Sequence, residues 1–190
     1  MIRPIKPQPH GRVWDPLVRL THWTIALAII LNGSVIGENA QAHIWIGYIA
    51  LGFLALRLFW GVIGPKNARF SSFPVSLSAA MRHISRLRRA WHPKYRSHNP
   101  LGALMVYALW GILVVVSLTG IALQNAPIPE NEDRYSAEIN HESETFIEEL
   151  HKAAASFLLL LAALHVGSVV LKSRLSGQNL VRPMISGRRS

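Results

Sequence analysis

The sequence predicts an all-α integral membrane bundle of four helices with both termini cytoplasmic. Three observations carry that expectation: four long uncharged apolar runs, a separation of basic from acidic segments, and histidines recurring at matched depths. Half of the 190 residues are hydrophobic although twenty are Lys or Arg, because apolar runs alternate with charged stretches. About 20 apolar residues on a helix cross a hydrocarbon core about 30 Å thick. Arg19 and Glu38 bracket eighteen uncharged residues, and Asn39 to Leu56 supplies eighteen more. Leu101 to Leu123 is uncharged throughout, and Ala153 to Leu171 adds nineteen. At this length the chain reads as one membrane domain, residues 1–190, with spans near 17–37, 41–63, 101–124 and 151–172.

The charges orient the spans. Four Lys or Arg stand at or before the first span, eight lie between Lys66 and Arg96, and five follow from Lys172 onward. Eight of the ten acids lie between Glu130 and Glu149. By the positive-inside rule the termini and the second loop are cytoplasmic and the acidic loop is outside. A net charge of +10 also reads as a nucleic-acid surface, but it is split among three segments that alternate with spans. The expected surroundings are therefore membrane lipid, with no nucleic acid. The first apolar run is too long for a cleavable signal peptide, and Gly37 and Glu38 follow it rather than a cleavage site.

In the N-terminal tail, MIRPIKPQPHGRVWD, proline is frequent and no apolar period is present, so His10 is expected to be solvated. Asp15 before Pro16 is a helix start, with an N-cap and a proline at the first helical position. His22 then falls roughly 7.5 Å into the first span, and Trp23 reads as an interfacial anchor. A short turn leads to the second span, where His43 lies near the outer end and Gly47 one turn deeper. Gly47 would let a planar group approach; ordinary helix packing explains it equally well. Arg57 falls on the face of His43, near the depth of His22. A guanidinium there costs energy without an anionic partner or a route to the headgroups, and both remain open.

Residues 65–100 are too many for a turn. Leu77, Met81, Ile84, Leu87 and Trp91 recur at helical spacing between arginines, which predicts an amphipathic helix on an anionic inner leaflet. His83, His92 and His98 belong to this loop. The third span carries no histidine, and Asn125, Pro127 and Pro129 mark its exit. The acidic outer loop, 125–150, holds an apolar stripe of Ile139, Ser143, Phe146, Ile147 and Leu150 on a surface helix. His141 lies there, as the rival of His151.

His151 and His165 open and nearly close the fourth run. Fourteen positions return to within roughly 40° of one face and climb about 21 Å. Ala155, Leu158 and Ala162 lie between them on that face, two of them small. His22 matches the inner depth of His165, and His43 the outer depth of His151, so four imidazoles form two pairs. Polar groups at such depths need partners. One helix would give one axial ligand to each of two stacked haems. The chain has no cysteine, which excludes disulfides, iron–sulfur clusters and covalent haem attachment. Any haem would be held by histidine and packing. Iron with two imidazoles has no open position, so it transfers electrons and does not activate oxygen.

The segments VWDPLVRLTHW, AHIWIGY, LRLFWG, HNPLGALM and LHKAAASFLLLLAALH, with RPMISG near the end, resemble the bacterial cytochrome b561-type family. That family includes the b-type cytochrome subunits of nickel–iron hydrogenases. The resemblance implies a four-helix inner-membrane protein with two haem b groups. By position it assigns the iron ligands to His22, His43, His151 and His165, and it implies a quinone as the exchange partner within the bilayer. Arg57 then reads as a partner for the inner haem's propionates, and Gly47 as a packing site for a haem ring. The expected function is electron transfer across the membrane between the quinone pool and a redox partner protein. A self-contained superoxide:quinone oxidoreductase and a haem-free anchor or transporter are the alternatives. The acidic outer loop favours a cationic partner such as a c-type cytochrome over a small anion.

Overall fold

Asp15 starts the first helix. Its Oδ1 accepts from the Leu17 N–H at 2.9 Å and the Val18 N–H at 3.4 Å, pairing donors that a helix start leaves free. Pro16 occupies the first helical position, where no donor is lost. α1 runs Pro16–Ser34, α2 Ala40–Ile63, α3 Pro100–Gln124 and α4 Arg134–Ser176, with a short α5 at Arg182–Ser186. A 3-10 turn, Phe70–Ser72, follows α2. This computed structural model describes residues 14–34, 40–66, 68–72, 76, 78, 100–125 and 134–187, with the backbone alone for 34, 40, 100 and 134–141. Among them there is no strand. The tail with His10, most of the amphipathic loop with His83, His92 and His98, and the start of the acidic loop lie outside the described residues.

Among the described residues three helices are long and apolar enough to cross a membrane: Gln41–Ile63, Leu101–Gln124 and Glu142–Ser176. α1, with 19 residues and Arg19 near its start, is not among them. The exterior is apolar in the way lipid requires. Phe59 is 61% exposed, Val166 60% and Trp45 60%, far more large apolar surface than a water-facing bundle presents.

α1 packs along α2 and α3 along α4, while the seam between α1 and α4 is sparse by comparison. Leu54, Leu113 and Leu158 form the buried centre, with Ile25, Leu109 and Val116 packed around it. Leu158 stands midway between His151 and His165, so this cluster separates the two histidine levels. Thr21 is fully buried yet satisfied, its hydroxyl donating to the carbonyls of Leu17 and Val18.

α4 reaches further than its apolar run. Residues 134–150 are helical, as their apolar stripe predicts, and they join the membrane segment without a break. The stretch contains neither glycine nor proline, and Lys152 pairs with Glu148 one turn back, across the junction. The helix has 43 residues, about 65 Å, against a core of about 30 Å.

The end of the bundle nearer His22 is laced by polar contacts. Trp60 Nε1 donates to Asp15 Oδ1 at 3.2 Å, tying α2 to the start of α1. The chain after α4 folds back, and Trp23 Nε1 donates to the Met184 carbonyl of α5 at 3.1 Å. Trp23 is thus a tether as well as an exposed aromatic. Gly187 ends α5 at φ 74°, and a Cβ there would overlap the Arg19 guanidinium, so glycine answers both demands.

Candidate functional site

The structure brings the four histidines of the apolar runs together in two pairs. His22 of α1 faces His165 of α4 with ring centres 6.4 Å apart and planes at 64°. His43 of α2 faces His151 of α4 at 6.1 Å and 72°. All four rings are half-buried. A metal–imidazole bond of about 2.0–2.1 Å, with a ring centre about 1.1 Å behind its nitrogen, puts two imidazoles sharing one ion about 6.2–6.4 Å apart. The His22–His165 pair has that spacing, and the His43–His151 pair is 0.1 Å short of it. No cluster of three or more His, Cys, Asp or Glu exists among the described residues. Two imidazoles alone are too few for a structural zinc site.

A cleft of about 830 Å³, open mouth included, runs beside the His43–His151 pair. It is lined from all four helices, by Gly33, Gly47, Gly120 and Ala155 among others. Nothing lies within 4 Å of where a Cβ on Gly47 would stand, so the backbone of α2 is open to a flat ligand there. Gly33 is different: a Cβ would come within 2.6 Å of Leu159 Cδ2, so its smallness serves the approach of α1 to α4.

Arg57 is 6% exposed. Its Nη2 donates to the Ala68 carbonyl at 3.1 Å, and its guanidinium lies 5.1 Å from the Trp110 ring centre and 6.0 Å from that of Phe70. Phe70 in turn stacks edgewise on Trp110, and a Cβ on Gly61 would overlap its ring. Arg57 therefore holds the segment after α2 onto α3, a role that only the fold reveals. Its Nη1 is buried without a hydrogen-bond partner among the described residues, and a ligand carboxylate fits that donor.

Two further residues were not legible in the sequence. Asn32 Nδ2 donates to the His43 carbonyl at 3.2 Å, fixing the backbone that carries this ring. Thr119 of α3 lies with its Oγ1 2.9 Å from His151 Nδ1, and Gly120 makes room beside the same ring. A helix without histidine gave no reason to search it; the only signal was a hydroxyl near its outer end, at the depth of His151. The His141 side chain lies outside the described residues.

Membrane-crossing helices with imidazoles facing one another at two levels have the architecture of a membrane b-type cytochrome. Residues 13–187 match the family model for prokaryotic cytochrome b561, and the chain belongs to that family. It is similar to the "Probable Ni/Fe-hydrogenase B-type cytochrome subunit" of Azotobacter vinelandii, 25% identical over 223 aligned residues, covering 96% of this chain and 90% of the relative. The protein of the same description from Rhizobium leguminosarum bv. viciae is 26% identical, covering 93% and 87%. That from Cupriavidus necator is 25% identical, covering 94% and 86%. No solved structure matches the chain. Membership makes it a multi-pass membrane protein of electron transport whose cofactor is haem b.

Proposed function

We propose that this chain is a di-haem b-type cytochrome with four spans and cytoplasmic termini in the bacterial inner membrane. It carries electrons between the quinone pool and a redox partner protein. The observation that supports this reading above the others is the pair of facing imidazoles at each of two levels. His22 and His165 hold the inner haem, and His43 and His151 the outer one. When bound, each haem supplies a one-electron iron couple. The residues do the rest: two imidazoles at each level would hold an iron and leave it no position open to oxygen, Gly47 would give a ring room, and Arg57 Nη1 would meet a carboxylate of the inner haem. The Leu54–Leu113–Leu158 cluster keeps water from the space between the two levels.

α1 completes the four spans in this reading. Thr21 and His22 on it are turned toward the bundle rather than fully exposed. The partner reading rests on relatives described as hydrogenase subunits and on the acidic outer part of α4, where Glu142, Glu148 and Glu149 are exposed. A field of that sign favours a basic protein face, such as that of a c-type cytochrome, and opposes superoxide. The test is a pyridine haemochrome assay on the purified protein, with acid–acetone extraction. Two extractable haems per chain are expected; one or none overturns the reading.

A further inference from the structure

Of the four imidazoles, His151 alone has a ring nitrogen at hydrogen-bond distance from another side chain among the described residues. That partner is Thr119 Oγ1, at 2.9 Å from Nδ1. A hydroxyl has one proton and two lone pairs. The proton of Thr119 is committed to its own helix, because Oγ1 lies 2.8 Å from the Val115 carbonyl and 3.1 Å from that of Val116. With the hydroxyl proton on those carbonyls, the oxygen is free to accept from Nδ1–H, and the Val116 carbonyl is a second acceptor for the same ring. The other ring nitrogen, Nε2, keeps the free lone pair that a metal requires. Gly120 completes the seat: a Cβ there would press on His151 Cε1 at 3.2 Å, against 3.4 Å or more for ordinary contact.

We propose that Thr119 is a positioning residue for the outer haem: it fixes the tautomer and ring orientation of His151 and makes Nε2 a stronger donor. The proposal rests on the bis-histidine reading above. A hydrogen bond that draws on the Nδ1 proton raises the basicity of a metal-bound imidazole. A more basic ligand favours oxidised iron, so Thr119 holds the outer potential down. The inner pair lacks such a bond among the described residues, so the hydroxyl of α3 acts on one level only. Sequence and helix period cannot reveal this, since the hydroxyl comes from the helix without ligands.

The experiment compares wild type with Thr119→Val and Thr119→Ser by haem content, redox titration and low-temperature electron paramagnetic resonance. Valine keeps the shape and removes the acceptor; serine keeps the acceptor. In Thr119→Val the outer component, identified as the one lost in His43→Ala, is expected to shift upward. The expected size is about tenfold in the redox equilibrium, or about 59 mV for one electron. Its largest g value should move, the inner component should stay, and serine should restore both. An outer component unmoved by valine overturns the proposal. If valine loses the outer haem, serine decides: retention at the wild-type potential supports the hydroxyl, and the same loss overturns it. A wild-type protein without two haems refutes the underlying reading instead, and is thereby distinguished.

Discussion

His22 near the start of α1 and His165 near the end of α4 face each other at 6.4 Å between ring centres, although α1 and α4 otherwise touch sparsely.

His22→Ala and His165→Ala should each remove the same haem component, and His43→Ala and His151→Ala the other. The basis is the two facing pairs, which assign one ring from α4 to each level. Difference spectra of the four variants check this. Loss of a single common component in His22→Ala and His43→Ala would break the pairing.

Arg57→Leu should have two effects with separate readouts. It leaves the Ala68 carbonyl without its donor, a cost of about 1–3 kcal/mol visible as a lower melting temperature in detergent. It also removes a buried positive charge, which should lower the inner haem's potential more than the outer's. Arg57→Lys keeps the charge and loses the forked geometry, so it should recover the potential better than the stability. A larger shift in the outer component would place the charge at the other level.

Gly61→Ala should destabilise the protein by about 1–3 kcal/mol, because the added methyl overlaps the Phe70 ring seated on Trp110. Thermal unfolding measures it, and the haem content should stay unchanged. An unaffected melting temperature would mean that the ring moves freely.

Electron transfer from the reduced protein to a basic c-type cytochrome should slow as salt rises. The exposed Glu142, Glu148 and Glu149 stand outside the His43–His151 level, and exposed charges are screened beyond about 8 Å at physiological ionic strength. Stopped-flow rates across a salt series check this, with the glutamates changed to glutamine as the control. A rate indifferent to both leaves the acids as solvation of a helix end.

The pairing of histidines was readable from the sequence because it follows from rise per residue and span length, both fixed by helix geometry. The cap at Asp15 was readable for the same reason, being local. Arg57's hold on Ala68 was not, since it depends on a loop returning to α2. Nor was Thr119, whose side chain matters only once α3 has been set beside α4. The outer part of α4 was half legible: its apolar stripe was seen as helix, but nothing in a charged stretch announced that it continues unbroken into the membrane.

Because α4 carries a ring at both levels, the distance and the angle between those levels belong to one rigid rod. The fourteen steps from His151 to His165 act as a ruler graduated in length, and side chains along it can change without altering the measure. Adding or removing one residue inside the interval would swing one ring by about 100° and shift it by about 1.5 Å relative to the other. Only one level could then keep its partner. Substitutions between these histidines cost packing at Leu158 but keep the measure, whereas a change in their number does not.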